Sequence, residues 1–86
     1  MQQIKWNEDK NDELKRTRGV SFEELLSSQF LGIEKHPRKA HQRIMLFEYK
    51  GYVWSIPYVR TDDYLFLKTA FPNRKYTKKY LHGEEQ

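Results

Sequence analysis

The 86-residue sequence contains no cysteine and no long apolar run. Without thiols the chain cannot form disulfides, thiolate metal sites or a cysteine nucleophile, which excludes a small secreted disulfide scaffold. No stretch approaches the roughly 18 apolar residues that cross a bilayer, and the N-terminal residues lack the apolar core of a signal peptide. We therefore expect a cytoplasmic protein with no membrane partner.

Glycine is also scarce, with four residues scattered singly along the chain. A glycine-rich loop that cradles phosphates is therefore absent, which removes nucleotide hydrolysis of that type. The three histidines, His36, His41 and His82, are isolated, and Pro37 prevents a helical pairing of the first two. We expect neither a metal site nor any other cofactor.

Aromatic and basic residues, in contrast, are abundant. The chain has 2 Trp, 6 Tyr and 5 Phe, and its 16 Lys and Arg exceed its 12 Asp and Glu to give a net charge of +4. A chain of this length buries only about 60–65% of the surface that its unfolded form exposes, so its core must be built from large side chains. We expect a single domain over residues 1–86.

The excess of positive charge is concentrated near the C-terminus. No acidic residue occurs between positions 68 and 82, and the segment carries Lys68, Arg74, Lys75, Lys78 and Lys79 together with Tyr76 and Tyr80. Cations neutralise phosphates and flat aromatic rings stack on bases, so the segment fits a nucleic-acid surface. The alternative is a solvated helix face whose tyrosines pack inward, and composition leaves both interpretations open.

Capping signals and periodicity predict an α+β domain. Three segments follow a capping residue and are predicted to be helices: residues 8–18 after Asn7, 22–28 after Ser21, and 74–81 after Asn73. Five segments have strand-like composition: residues 4–6, 30–34, 43–49, 52–60 and 64–71. The predicted order is β-α-α-β-β-β-β-α, with an antiparallel arrangement of the last four strands.

Loop length predicts which residues share a face of the sheet. If Lys50 and Gly51 form a two-residue hairpin loop, the pairs Arg43/Tyr58, Met45/Ile56, Phe47/Trp54 and Tyr49/Tyr52 lie on the core face. An even second connection adds Leu65, Leu67 and Phe71 to that face. It leaves Lys68, Ala70 and Glu48 on the opposite, more mixed face.

The N-terminal segments resemble a known family. Residues 4–10 and 18–24 are similar to the opening of BrnT-like toxins, which belong to the RelE/ParE superfamily of bacterial toxin–antitoxin systems. Asn7 stands where that family has Asp, and Arg18 stands where it has His. Arg43 matches an Arg that opens the next family strand, whereas the family Arg before the final helix falls on Phe71.

The resemblance implies a RelE-like fold, with two N-terminal helices and a C-terminal helix packed on a four-stranded antiparallel sheet. It also implies the toxin of a type II toxin–antitoxin system, a metal-independent endoribonuclease that cleaves RNA, inhibits translation and is neutralised by a cognate antitoxin. Two alternatives stay open: a ParE-type toxin that inhibits gyrase, and a non-catalytic RNA-binding domain.

Cleavage by the 2′-OH of the substrate gives a 2′,3′-cyclic phosphate and requires a proton acceptor, a proton donor and cations at the phosphate. We predict Lys68 and Arg74 as cation and proton donor and Glu48 as the base, and Arg43 is carried over from the resemblance. Predicted RNA contacts are Lys10, Arg60, Lys75, Tyr76, Lys78, Lys79 and Tyr80. The plain alternatives are a solvent-facing Lys68, a surface carboxylate at Glu48, and tyrosines that hold the helix on the sheet.

Overall fold

The computed structural model describes residues 3–83 and has an α+β fold. The elements in chain order are β1 (Gln3–Trp6), α1 (Glu8–Arg18), α2 (Phe22–Leu26), β2 (Gln29–Lys35), β3 (Gln42–Tyr49), β4 (Tyr52–Arg60), β5 (Tyr64–Leu67), β6 (Phe71–Pro72) and α3 (Arg74–Leu81). Over residues 3–83, each helix is too short or too polar to reach across a bilayer.

The helices begin at the predicted capping residues. The side chain of Asn7 accepts hydrogen bonds from the backbone amides of Asp9 and Lys10, and α1 ends at Gly19 in the left-handed conformation, with φ of 72°. Ser21 forms the expected capping box at the start of α2. The bounds predicted for α1 and α3 are confirmed, whereas α2 ends two residues earlier than predicted.

The sheet is mixed rather than antiparallel throughout. Its strand order is β1-β5-β4-β3-β2, with β6 also paired to β4, and β1 runs parallel to β5. The antiparallel pairing predicted for the last four strands is confirmed for β2 to β5, but a sheet of only four antiparallel strands is wrong, because β1 and β6 also join it. The reason is that Gln3–Trp6 pairs with Tyr64–Leu67, a contact between distant parts of the chain that no local pattern signals.

The hairpin between β3 and β4 has the predicted register. Phe47 lies opposite Trp54 and Met45 lies opposite Ile56, as the two-residue loop requires. Lys50 and Gly51 have φ of 53° and 81°, which are the left-handed values that a tight hairpin turn needs at both central positions. This hairpin therefore fixes which side chains face each side of the sheet.

Helices cover both faces of the sheet, with α1 and α2 on one face and α3 on the other. On one face, residues of α1 and α2, including Leu14 and Phe22, join a core built on the strands by Met45, Phe47, Trp54, Ile56, Tyr58 and Leu67. On the other face, α3 contributes Tyr76, Tyr80 and Leu81 to a smaller core with Ile44, Leu46 and Val53. The sheet thus separates α3 from the N-terminal helices.

One extra residue between β5 and β6 changes the predicted faces. Along β4 the chain advances three residues from Ser55 to Tyr58, while the opposing segment advances four, from Phe71 back to Leu67. This reverses the inward and outward alternation, so Ala70 joins the core beside α1, and Phe71 faces α3. The prediction had these two side chains on the opposite faces. The irregularity lies beside Pro57, which has no amide hydrogen for a regular ladder at this point.

Candidate nucleic-acid interface

The connection between β2 and β3, residues 36–41, has a fixed backbone. The amide of His36 donates to the carbonyl of Gln42 at 3.3 Å, and the amide of Gln42 donates to the carbonyl of Lys39 at 3.0 Å. The ring nitrogen Nδ1 of His36 accepts from the amides of Arg38 and Lys39 at 3.1 and 3.2 Å. Because Nδ1 is an acceptor, the neutral ring carries its hydrogen on Nε2, which is free of these two bonds.

This connection forms one wall of a cationic depression at the end of the sheet. The depression has a volume of about 430 Å³ and is lined by Lys35, His36, Pro37, Arg38, Ala40, Gln42 and Arg43. Lys35 and Arg43 are cross-strand partners, so the two cations come from adjacent strands at the same level. We call this region the cationic depression.

A second depression adjoins the first on the α3 side. It has a volume of about 330 Å³ and is lined by His36, Pro37, Arg38, Ile44, Phe71, Asn73, Lys75 and Tyr76. The two depressions share the segment from His36 to Arg38. The Nζ atom of Lys75 lies 5.9 Å from the centre of the Tyr76 ring, so a cation stands beside an aromatic wall. We call this region the aromatic depression.

The start of α3 is held in place by polar contacts to β4. Asn73 caps the helix through Oδ1, which accepts from the amide of Tyr76 at 3.2 Å, and its Nδ2 donates to Oγ of Ser55 at 3.1 Å. Thr77 is buried, and its Oγ1 accepts from the amide of Val53 at 2.9 Å. Together with the extra residue before β6, these bonds place Phe71 and Tyr76 in one depression.

The linings of the two depressions carry an excess of positive charge. The described linings of the two depressions contain four cations, Lys35, Arg38, Arg43 and Lys75, and none of the carboxylates in residues 3–83. Such an excess of one sign attracts an anionic ligand and raises the rate of its encounter. The surface is therefore suited to phosphate groups.

The carboxylate of Glu34 lies behind this surface and is already engaged. Its Oε2 accepts from the hydroxyl of Tyr80 at 2.6 Å and from Nζ of Lys79 at 3.3 Å. These contacts, led by the hydrogen bond from Tyr80, lower the pKa of Glu34. The same bond raises the pKa of Tyr80 to about 12, and burial raises the pKa of Tyr76. Both phenols are therefore neutral hydroxyls near pH 7.

Lys68, one of the predicted catalytic residues, lies on a different surface. Its side chain lines a depression with Asn7, Asp9, Lys10, Glu13 and Phe66, where α1 begins. Two lysines there face two carboxylates, and Nζ of Lys10 pairs with Glu13 at 3.4 Å. The depressions described here therefore do not join Lys68 to the surface that Arg43 lines, and the charges around Lys68 nearly cancel.

Glu48 is also remote from Arg43. The two residues lie toward opposite ends of β3, five residues apart, which corresponds to about 17 Å of strand. Glu48 pairs with Gln29 and Val53 at the hairpin end of the sheet. The sequence analysis had placed Glu48 on the same face as Lys68, whereas Lys68 lines the depression beside α1, and the role of Glu48 as a base stays a prediction.

The remaining predicted residues fall into two groups. Arg74 and Lys78 are exposed on α3, the helix that borders the aromatic depression. Arg60 is exposed at the end of β4. Lys79 and Tyr80 are bonded to Glu34, and Tyr76 and Tyr80 pack on the sheet. This packing is the alternative that was left open for the two tyrosines, and their contact with RNA stays a prediction.

Sequence reasoning missed Lys35, His36, Arg38 and Phe71 as residues of one surface. The segment 36–41 lies between the predicted strands 30–34 and 43–49, and its cations Arg38 and Lys39 were the signal that could have drawn attention to it. Phe71 was placed on the wrong face because the extra residue before β6 was not foreseen. For a metal ion, the part of the chain from 3 to 83 offers no cluster of three or more His, Asp or Glu side chains.

Comparison with protein-family models and with curated proteins finds no match for this chain. Comparison with solved structures finds the crystal structure of the Brucella abortus ribonuclease toxin BrnT, with a TM-score of 0.56 and 19% sequence identity. The match covers 85% of this chain and 97% of that chain. The resemblance predicted from the N-terminal residues is thus confirmed, and the chain has a BrnT-like fold.

Proposed function

We propose that the chain is the toxin of a type II toxin–antitoxin system and acts as an endoribonuclease that needs no metal ion. The BrnT-like fold supports this proposal. The observation that carries it is the surface around residues 35–43, where cations gather without a carboxylate and adjoin an aromatic depression. Phosphates and bases are the two chemical groups that such a surface fits.

In the proposed reaction the 2′-oxygen of one ribose attacks the adjacent phosphorus. The bond from 2′-oxygen to phosphorus forms, the bond from phosphorus to the 5′-oxygen breaks, the 2′-OH loses a proton and the leaving 5′-oxygen gains one. The products are a 2′,3′-cyclic phosphate and a 5′-OH end. Negative charge grows on the phosphate oxygens, and fixed cations stabilise it.

Arg43, Arg38 and Lys35 are the proposed phosphate ligands. They line the cationic depression together, and Arg43 stands on the regular part of β3, where backbone pairing on both sides fixes its position. The Nε2–H of His36 adds a neutral donor to the same depression. Arg74 and Lys75 at the start of α3 are proposed to hold a neighbouring phosphate.

The test uses purified protein, labelled single-stranded RNA and excess EDTA. We expect cleavage with 2′,3′-cyclic phosphate ends, and we expect Arg43→Ala to slow it by about 100-fold, the scale seen when one fixed transition-state donor is removed. Arg16→Ala removes an equal charge from the exposed end of α1 and serves as the matched control. Intact RNA with all preparations, or equal loss with both variants, contradicts the proposal. Lys68→Ala and Glu48→Gln in the same assay test the two other predicted residues.

A second candidate is RNA binding without cleavage. It is favoured by one observation, which is that the described linings of both depressions hold no carboxylate to act as a base. Binding of RNA that stays intact would support this candidate over the nuclease. Intact RNA together with inhibition of DNA supercoiling would instead support the gyrase-inhibiting alternative.

A cytoplasmic toxin requires a partner that restrains it in the cell that makes it. We propose a cognate antitoxin for this role and inhibition of translation as the consequence of RNA cleavage. Expression of the chain alone is expected to arrest growth, and co-expression of the neighbouring reading frame is expected to relieve the arrest. Unimpaired growth with the folded chain at a high level would contradict this part of the proposal.

A further inference from the structure

We propose that the aromatic depression holds one unpaired base of single-stranded RNA and so selects the nucleotide next to the bound phosphate. This inference rests on the proposed RNA substrate and adds the part of the substrate that is recognised. It joins Phe71, Pro37 and Ile44, which the sequence analysis did not place at an RNA surface, to the predicted RNA contacts Lys75 and Tyr76.

The walls of the depression are aromatic and apolar. Phe71 and Tyr76 are half-buried and stand with Pro37 and Ile44 around a volume of about 330 Å³. Every base, whatever its identity, offers a flat π-face. Stacking on aromatic side chains is the common way in which proteins hold single strands. An apolar depression of this composition therefore fits a base better than it fits a phosphate.

The aromatic wall is held rigidly. The rings of Tyr76 and Tyr80 are in edge contact, with centres 6.2 Å apart and an angle of 69° between their planes. Tyr80 is anchored in turn by its hydroxyl, which donates to Glu34 on β2 at 2.6 Å. A wall that is fixed before the ligand arrives avoids the cost of ordering side chains on binding.

Lys75 and Arg38 lie beside the aromatic rings, at the position expected for the phosphate of a nucleotide whose base is stacked there. Nζ of Lys75 lies 5.9 Å from the centre of the Tyr76 ring, and Arg38 lines both depressions. A phosphate held by Lys75 or Arg38 would therefore lie next to the base in the aromatic depression. The surrounding charge favours an anionic nucleotide over an apolar segment of a protein.

The shape favours an unpaired base. In duplex RNA the bases are stacked on each other and the major groove is too narrow for side chains, so a base cannot enter a separate depression. A single strand can turn one base outward at little cost. The site is therefore expected to discriminate between single-stranded and duplex RNA of the same sequence.

The test measures affinity by fluorescence anisotropy with a labelled eight-nucleotide strand that carries 2′-fluoro sugars, so that cleavage is blocked. A series replaces one nucleotide at a time with an abasic sugar. For the wild type we expect one position at which loss of the base weakens binding about tenfold, which is within the range for one stacked base. For Phe71→Leu and Tyr76→Leu we expect weaker binding of the intact strand. In these variants, removing the base at that position should not weaken the affinity further.

Leucine keeps apolar volume while removing the ring, and thermal unfolding of each variant shows whether it is folded. Tyr52→Leu removes an exposed ring at the hairpin end of the sheet and is the matched control, with an abasic effect equal to that of the wild type. If both depression variants fail to fold, Lys75→Ala replaces them, and it must weaken the intact strand more than the Arg16→Ala control does.

Any one of the following outcomes overturns the inference: equal loss at every abasic position, an unchanged abasic effect in Phe71→Leu, or equal affinity for the duplex. Saturation by a free mononucleotide at the affinity of the strand would also overturn it, because the site would then serve free nucleotides. If RNA is cleaved but no abasic position affects binding, this inference is wrong and the proposed nuclease activity is supported. If one abasic position weakens binding but RNA is not cleaved, the inference is supported and the nuclease activity is wrong.

Discussion

At the scale of single residues, the contact between Tyr80 and Glu34 shows how a basic helix is held against the sheet. The phenol donates to the carboxylate at 2.6 Å, and the ammonium of Lys79 approaches the same oxygen at 3.3 Å. Tyr80 is therefore bonded to Glu34 of β2, whereas Lys75 lines the aromatic depression. The structural contact of Tyr80 and the binding role proposed for Lys75 thus belong to two residues of one helix.

Replacing Tyr80 with Phe is expected to lower the free energy of unfolding by about 1–2 kcal/mol at pH 7, the scale of a partly exposed hydrogen bond to a charged group. The lowered pKa of Glu34 means that this contribution is present above the ordinary value of 4.5 and is lost as the pH falls through the folded value. The raised pKa of Tyr80 means that it is also lost between pH 10.0 and about 12. Urea unfolding of both proteins across pH checks this, and a penalty that stays constant down to pH 2 would contradict it.

At the scale of elements, one buried hydroxyl connects α3 with β4. Thr77 is 3% exposed, donates to the carbonyl of Asn73 at 2.7 Å and accepts from the amide of Val53 at 2.9 Å. The amide of Val53 lies in the interior and would have no partner in its absence. This bond sets the position of α3 above the sheet, and with it the position of Tyr76.

We expect Thr77→Val to destabilise the protein by about 2 kcal/mol, although valine has the same shape and is more apolar, because a buried amide loses its acceptor. Thr17→Val is the matched control. Its hydroxyl donates to the carbonyl of Glu13 on an exposed part of α1, so a change within about 0.5 kcal/mol is expected. Thermal and urea unfolding measure both. Equal effects of the two substitutions would show that the Val53 bond contributes little.

The elements that the sequence predicted well are those with local signals. Asn7 and Asn73 mark helix starts through their own side chains, and the two-residue turn at Lys50 and Gly51 determines every pair of the β3–β4 hairpin. The parallel pairing of β1 with β5 has no local signal, because it depends on the packing of distant segments. The extra residue before β6 is likewise invisible in composition, and it moved Phe71 to the other face.

The candidate site was predicted less well for the same reason. Lys75 and Tyr76 were found because they lie in one basic run of the sequence, whereas Arg38 joins them only through the fold, and Lys35 lines only the adjoining cationic depression. Lys68 belongs to the same run but lies beside α1, with two carboxylates nearby. Proximity in sequence therefore grouped residues that the fold separates.

At the scale of the whole molecule, the fold separates a cationic surface from a surface of mixed charge. The net charge of +4 is modest, yet the two depressions around residues 35–43 and 71–76 concentrate cations. The depression at Lys68 combines both signs. The central claim of this account is that RNA binds at the first surface and not at the second.

The most direct measurement of that claim is the change in backbone amide NMR shifts when an uncleavable single-stranded RNA is added to the labelled protein. We predict that the largest changes occur in residues 35–43 and 71–76, and that they weaken as salt is raised, because released counterions drive phosphate binding. Largest changes at residues 7–13 and at Lys68, with residues 35–43 unaffected, would contradict the account.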